Sequence, residues 1–346
     1  MAACSFRNSD YNKLPIPAGS RFILLTLQEK IVEALLILAI VAVYVFELSI
    51  FARLAVYRIL KKEKPHRVLV TKPAIVSHAL ALGCILCLLW SYFVEPYRLE
   101  VTRHEIRTGL LAGTSFRIVL LSDTHCDAKM RCEEKLVEKI NALGPDIIVF
   151  TGDGINDLNA LPLFKKTMKA LSARLGKFAV NGNHETWYWW DRDVFGGTGF
   201  RLLKTEPIII EKDNERITVF GMDYADYELG ILPIPLPADT YNIFLFHYPD
   251  LIEYVSGASG ETEEDVNVNL YLCGHTHGGQ VRLPFYGGLE VYSKFGKKYE
   301  MGMYRVKDTT LYVNRGIGME GGFTPRIRFL CRPEITVFDL KPEKGK

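Results

Sequence analysis

Five of the eight histidines in this chain, His125, His184, His247, His275 and His277, stand in short motifs beside carboxylates, amides or glycines. Residues 274–280 read GHTHGGQ. In extended backbone, residues i and i+2 project to one face, so His275 and His277 can converge on a point while the flanking glycines let the chain come close to it. Taken alone, the heptapeptide fits either a metal site or a histidine-bearing turn with no ligand. The other motifs favour the metal: Asp123-Thr-His125, Gly152-Asp153, Asn183-His184 and a lone His247. Together they supply two carboxylates, an amide oxygen and four imidazoles besides His184, enough donors for two divalent cations about 3.5 to 4 Å apart. A carboxylate suits the bridging place because its charge offsets the repulsion between the cations, so Asp153 is expected there.

These residues need elements to position them, and each group follows an apolar run of strand length. FRIVLLS (116–122) precedes Asp123, DIIVFTG (146–152) precedes Asp153, FAV precedes NGNHE, YNIFLF precedes His247 and VNLYLCG precedes His275. Between the first two runs, EEKLVEKINAL has apolar residues at helical spacing, which makes a β-α-β unit with its loops at the strand C-termini, where active sites of layered α/β folds lie. A further helix is expected over Leu161–Leu175, and further strands at PIIIE, RITVFGM, TLYVN and ITVFDL. So many strands with so few helices predict two sheets packed together and flanked by helices.

The net charge of +2 in 346 residues, without a long basic run, argues against nucleic acid as a partner. Mean hydropathy is slightly positive, and the apolar residues gather near the N-terminus. Residues 31–52 and 74–94 form two apolar runs, each long enough as a helix to cross a bilayer. Glu33 and Glu47 interrupt the first, which therefore fits a span or an interfacial helix. The second has no acid, Lys or Arg and ends with Trp90 and Tyr92, as spanning helices do. The organisation expected is a tail (1–30), a membrane anchor (31–95) and a soluble domain (96–346). Between the runs lie Arg53, Arg58, Lys61, Lys62, Lys64, Arg67 and Lys72, which favour a cytoplasmic loop and so an external soluble domain. The seven cysteines show no disulfide framework, which favours a cytosolic domain instead.

The order D-x-H, G-D, G-N-H-E, a lone His and G-H-T-H resembles that of the calcineurin-like metallophosphoesterases over residues 116 to about 340. The resemblance implies an α/β fold, a four-layer α/β/β/α sandwich, here preceded by the N-terminal transmembrane segment. It implies one metal held by Asp123, His125, Asp153 and His277, a second held by Asp153, Asn183, His247 and His275, and His184 as the catalytic histidine facing the scissile phosphate. Mn²⁺ suits this N/O donor set best, with iron, zinc and magnesium compatible. GHTHGGQVRLP and the late NRGIG and PRIRFLCRPEI are similar to the family's membrane-anchored branch, whose chlamydial type cleaves UDP-2,3-diacylglucosamine in lipid A synthesis. That likeness implies a lipid-linked nucleotide substrate and a bacterial inner-membrane enzyme with a cytosolic catalytic domain. Its alternatives are a phosphodiesterase or phosphatase acting on a soluble substrate, and a catalytically silent scaffold, against which the intact set of donors argues. Gly154 departs from the family's usual larger apolar residue, which bears on the loop shape.

Around these motifs, Glu185 and Asp157 are candidates for orienting ligands. Cys126 reads as a small buried filler. The run Trp187-Tyr188-Trp189-Trp190 cannot face one core, so part of it either covers a loop or meets a membrane or acyl chains. Every candidate ligand lies beyond Tyr97, so a domain starting there is expected to keep the site.

Overall fold

The computed structural model describes residues 20–62, 65–231, 236–259, 266–321 and 326–343. Most of the expected tail, Glu63 and Lys64 of the basic loop, and Pro325 lie outside the described residues. Two long helices come first, α1 (Ser20–Ile59) and α2 (Lys72–Phe93), the latter opening with Pro73 in its first turn, where the missing N–H costs nothing. The following strands are β1 (Glu100–Thr108), β2 (Phe116–Leu121), β3 (Ile147–Phe150), β4 (Gly176–Ala179), β5 (Phe200–Leu202), β6 (Ile208–Lys212), β7 (Glu215–Gly221), β8 (Tyr241–Leu245), β9 (Leu270–Cys273), β10 (Arg282–Leu283), β11 (Gly287–Gly288), β12 (Gly302–Val306), β13 (Thr309–Val313) and β14 (Glu334–Pro342). Among them run helices α3 (Glu133–Leu143), α4 (Leu161–Ala170), α5 (Asn183–Tyr188), α6 (Tyr224–Glu228) and α7 (Ile252–Val255).

One six-stranded sheet has the order β1-β14-β2-β3-β4-β5 and the other β12-β13-β9-β8-β7-β6. Their layering is written in the alternation of strand residues. Ile118 and Leu120 of β2 join Ile243, Leu245, Leu270 and Leu272 between the sheets. Val119 and Leu121 point the other way, onto Leu136 and Ile140 of α3 and Phe164 and Met168 of α4. Phe244 and Tyr271 similarly face α6 and α7 through Tyr224, Ile252 and Val255. Because successive side chains leave a strand on opposite faces, apolar residues at every position require cover on both sides, and the four-layer sandwich provides it.

β1, which the apolar pattern of the sequence does not reveal, pairs in parallel with β14 at one sheet edge. The expected helix from Leu161 stops at Ala170, and Leu175 instead donates its N–H to the Asp146 carbonyl beside β3.

The stretches Lys30–Ile59 and Lys72–Tyr97 are long and apolar enough to cross a membrane. Leu35, Leu38, Val45, Leu48, Ile75, Leu82, Leu86 and Leu89 remain exposed along their flanks. Glu47, an awkward residue in an apolar run, is buried between the helices with its carboxylate 2.8 Å from His78 Nδ1. The hairpin is fastened to the sandwich by both ends: Lys30 Nζ lies 2.6 Å from Glu290 Oε1, and Arg328 N–H donates to the Ser91 carbonyl. The basic connection around Lys61, Lys62 and Lys72 therefore lies at the end of the hairpin away from the sandwich.

Candidate active site

All eight candidate residues meet where the strands of both sheets end. Asp123 and His125 follow β2, Asp153 follows β3, Asn183 and His184 open α5 after β4, His247 follows β8, and His275 and His277 follow β9. Asp123, His125, Asp153, Asn183, His247, His275 and His277 are buried, while His184 is half-buried at the mouth. Asp153 Oδ2 lies 3.6 Å from His125 Nε2 and 3.4 Å from His247 Nε2. On one side of it, His125 Nε2 and His277 Nε2 are 3.1 Å apart, with Asp123 Oδ1 3.5 Å from the latter. On the other, His247 Nε2 lies 2.9 Å from Asn183 Oδ1 and 3.3 Å from His275 Nδ1. His184 Nε2 stands 4.0 Å from Asp153 Oδ2 and 3.7 Å from Glu320 Oε1, and its buried Nδ1 has no hydrogen-bond partner among the described residues.

The surroundings aim these atoms. His247 Nδ1–H donates to the Thr151 carbonyl and His125 Nδ1–H to Asn156 Oδ1, each leaving Nε2 directed inward. Tyr248 stacks on His275 with ring centroids 3.5 Å apart. Glu185 is buried and accepts the N–H groups of Asp153, Gly154 and Gly182, tying two ligand loops together. Asp157 does no such work: it is exposed and caps the turn at Asn159, while its neighbour Asn156, not singled out by any sequence motif, is the orienting residue. Gly152 and Gly182 must be glycines because a Cβ on Gly152 would collide with the backbone of Gly182 and one on Gly182 with the Asp153 carboxylate and N–H. At Gly154, a Cβ would strike the Phe164 ring at 2.8 Å, so Phe164 fills the room that a larger residue would take.

Backbone strain is concentrated in the same place. Asp123, His125, Asp153, His275 and His277, five of the seven expected ligands, have φ between 36° and 69°. Left-handed backbone in residues other than glycine costs energy and persists where surrounding contacts enforce it, typically at functional sites.

Burial also sets protonation. It lowers His125 to about 4, helped by the neighbouring His184, and holds His275 and His277 well below the ordinary histidine value. These are neutral imidazoles at pH 7, the form that binds metal. Burial alone would raise Asp153, but His247 and His184 hold it well below the carboxylate range. Lone-pair atoms of oxygen and nitrogen packed this closely, several with no donor between them, fit cations: Asp123, His125 and His277 form one group within 4.8 Å, and Asp123, Asp153 and His247 form another.

A second ring of contacts comes from the C-terminal part. Gly318 N–H donates to the Asp123 carbonyl at 2.7 Å. Arg328, fully buried, donates to the carbonyls of Gly318, Arg315 and Cys331 and places Nη2 3.4 Å from His277 Nδ1. Cys331 donates its thiol to the His277 carbonyl and its N–H to Glu95 Oε1, at the end of α2. Two hydrogen-bond routes thus lead from the end of the apolar hairpin to His277, a candidate metal ligand. Cys126 is buried, its thiol pushed up by burial and by Glu133, as befits a filler. The aromatic run divides: Trp189 packs on the core beside α3 and α4, Tyr188 sits edge-on to His184, and Trp187 and Trp190 face outward.

The calcineurin-like phosphoesterase pattern matches residues 116–279. An uncharacterized metallophosphoesterase of Bacillus subtilis, YkuE, is 35% identical over 73% of this chain and 89% of its own length. The chain belongs to the calcineurin-like phosphoesterase family. It is accordingly a metallophosphoesterase, a hydrolase, with a candidate metal-binding His/Asp cluster at its strand ends. Other relatives are the phosphodiesterase YaeI of Escherichia coli, 29% identical over 72% of this chain and 92% of its own, and the UDP-2,3-diacylglucosamine pyrophosphatase LpxG of Chlamydia muridarum, 25% identical over 75% and 94%. The family pattern ends at Gly279, before the Gly318, Arg328 and Cys331 contacts.

Proposed function

We propose that the protein is a membrane-anchored phosphoanhydride or phosphodiester hydrolase with two divalent cations, one held by Asp123, His125, Asp153 and His277 and the other by Asp153, Asn183, His247 and His275. The observation that carries this reading is Asp153 Oδ2, poised between His125 and His247. Such cations polarise phosphoryl oxygens and bring the pKa of a bound water towards neutrality. Asp153 bridges the two donor groups, and Glu185 fixes its loop through three backbone N–H groups. Asn156 and the Thr151 carbonyl keep His125 and His247 in the tautomer whose Nε2 faces the centre. His184, with Nε2 3.7 Å from Glu320 Oε1, presents an N–H at the mouth, where it stabilises the developing negative charge or protonates the leaving group. No covalent enzyme intermediate is required.

The substrate we infer is UDP-2,3-diacylglucosamine, cleaved to UMP and 2,3-diacylglucosamine 1-phosphate in lipid A synthesis. Likeness to LpxG, the apolar hairpin and the exposed aromatics by His184 support it. Likeness to YaeI supports a soluble diester as the second reading. Incubating detergent-solubilised full-length protein and Mn²⁺ with UDP-2,3-diacylglucosamine and, in parallel, a soluble diester separates them. UMP from the lipid supports the first; turnover of the soluble compound alone supports the second.

A cytosolic nucleotide-linked substrate requires a cytosolic sandwich in a bacterial inner membrane, and hence a basic connection outside, against its charge preference. Lys61→Cys labelled in intact cells by an impermeant thiol reagent tests this, with the native cysteines controlled. Labelling supports the cytosolic sandwich, whereas protection contradicts that topology or requires a monotopic hairpin.

A further inference from the structure

A cleft of about 510 Å³ opens where α2 meets the sandwich, with none of the candidate metal donors in its lining. One half of its lining is apolar: Leu86, Cys87 and Trp90 of α2 face Phe329 and Leu330. The other half is charged, with Arg98, Arg315 and Arg332 against Glu95 and Glu100. The charges are unevenly engaged. Arg315 lies 2.8 Å from Glu100 and 3.1 Å from Glu334. Glu95 accepts the indole N–H of Trp90 and the N–H of Cys331. Arg332 keeps a loose pairing to Glu100 at 3.7 Å and is 40% exposed. Arg98 is exposed, and among the described residues its guanidinium meets only the Trp90 ring, 5.4 Å away. Two cations therefore remain at the rim of the charged half.

Leu330 adds a second observation. Its backbone lies at φ 52°, where a leucine is strained, and its side chain is half exposed beside α2. The local structure thus holds an apolar group outward at the level of Leu86. The cleft lies at the end of a span-capable helix that also carries Trp90, Tyr92, Phe93 and Tyr97 as exposed aromatics, the residues that settle at a bilayer interface. Apolar below, cationic above and within the volume range of ligand sites, the lining matches one chemistry: acyl chain and phosphate on the same molecule.

We propose that this cleft binds one anionic phospholipid, its phosphate on Arg98 and Arg332 and its acyl chain along Leu86, Cys87 and Leu330, as a site separate from the catalytic centre. The proposal rests on α2 lying in a membrane and is independent of the reaction catalysed. The test is native mass spectrometry of the full-length protein titrated in detergent with phosphatidylglycerol or phosphatidylcholine. Wild type is expected to retain one phosphatidylglycerol per chain, roughly tenfold or more tighter than phosphatidylcholine. Arg98→Gln with Arg332→Gln should erase that preference. Leu330→Asn, which suits the left-handed backbone better than leucine, should weaken both lipids without harming the fold, checked by melting temperature and by unchanged turnover of a soluble diester. Equal retention of the two lipids by wild type, an undiminished preference in the double variant, or displacement of phosphatidylglycerol by an equal concentration of glycerol 1-phosphate would each overturn it.

Discussion

Residues 116–279 and residues 280–334 serve the same centre by different means. The first region supplies every candidate donor as a side chain placed directly after a buried strand. The second supplies none, and acts through backbone N–H groups, a buried guanidinium and a thiol that hold Asp123 and His277 from behind. Metal chemistry restricts residue type, so the first region announces itself in Asp, Asn and His. Support is a matter of contact, so the late motifs NRGIG and PRIRFLCRPEI show a likeness without showing their contacts, which tie them to the α2 end only in three dimensions.

The largest effect expected from breaking this division is in the first region. Asp153→Ala removes the carboxylate poised between both donor groups, and turnover should fall on the order of 10³-fold or more together with bound metal, measured by elemental analysis. His184→Ala tests whether its neighbours at the mouth play a different part. It should keep most of the metal yet lose about 10²-fold in kcat. If metal collapses equally in both variants, His184 is a ligand and the assignment of roles fails.

The second region is tested by starting the chain at Tyr97. All donors remain, but the Ser91 and Glu95 contacts to residues 328–331 are lost, one of them to a carboxylate. With about 1 kcal/mol for a neutral hydrogen bond and 1.5 to 3 for a charged one, the melting temperature should drop by roughly 5 to 15 °C, and metal should be held more weakly. An unchanged melting temperature and metal affinity would make the hairpin a tether alone. The smallest effect belongs to the exposed rings. Trp187→Ser with Trp190→Ser should lower kcat/KM for a lipid substrate by about tenfold or more and spare a soluble diester, since remote apolar contacts help only a substrate that reaches them. Equal losses on both substrates would assign these rings to packing.

The same contrast explains what the sequence made legible. The eight site residues and the two-sheet core follow from residue type after apolar runs with alternating faces, and the structure brings all eight together. Asn156 escaped notice because an amide beside a metal motif resembles any loop residue, and the nearby acid Asp157 drew attention instead. β1 was missed because a half-exposed edge strand mixes Arg, His and Glu with its apolar residues. Arg328 stands in PRIRFLCRPEI, but residue type does not disclose its role: its complete burial depends on the carbonyls of Arg315, Gly318 and Cys331, which only the fold gathers around it.

The central claim is that Asp153 joins two metal sites. Elemental analysis of the full-length wild-type protein, purified and equilibrated with Mn²⁺, measures it most directly. The account predicts two equivalents per chain, falling below one in Asp153→Ala; one equivalent or none in the wild type, or two retained without Asp153, would contradict it.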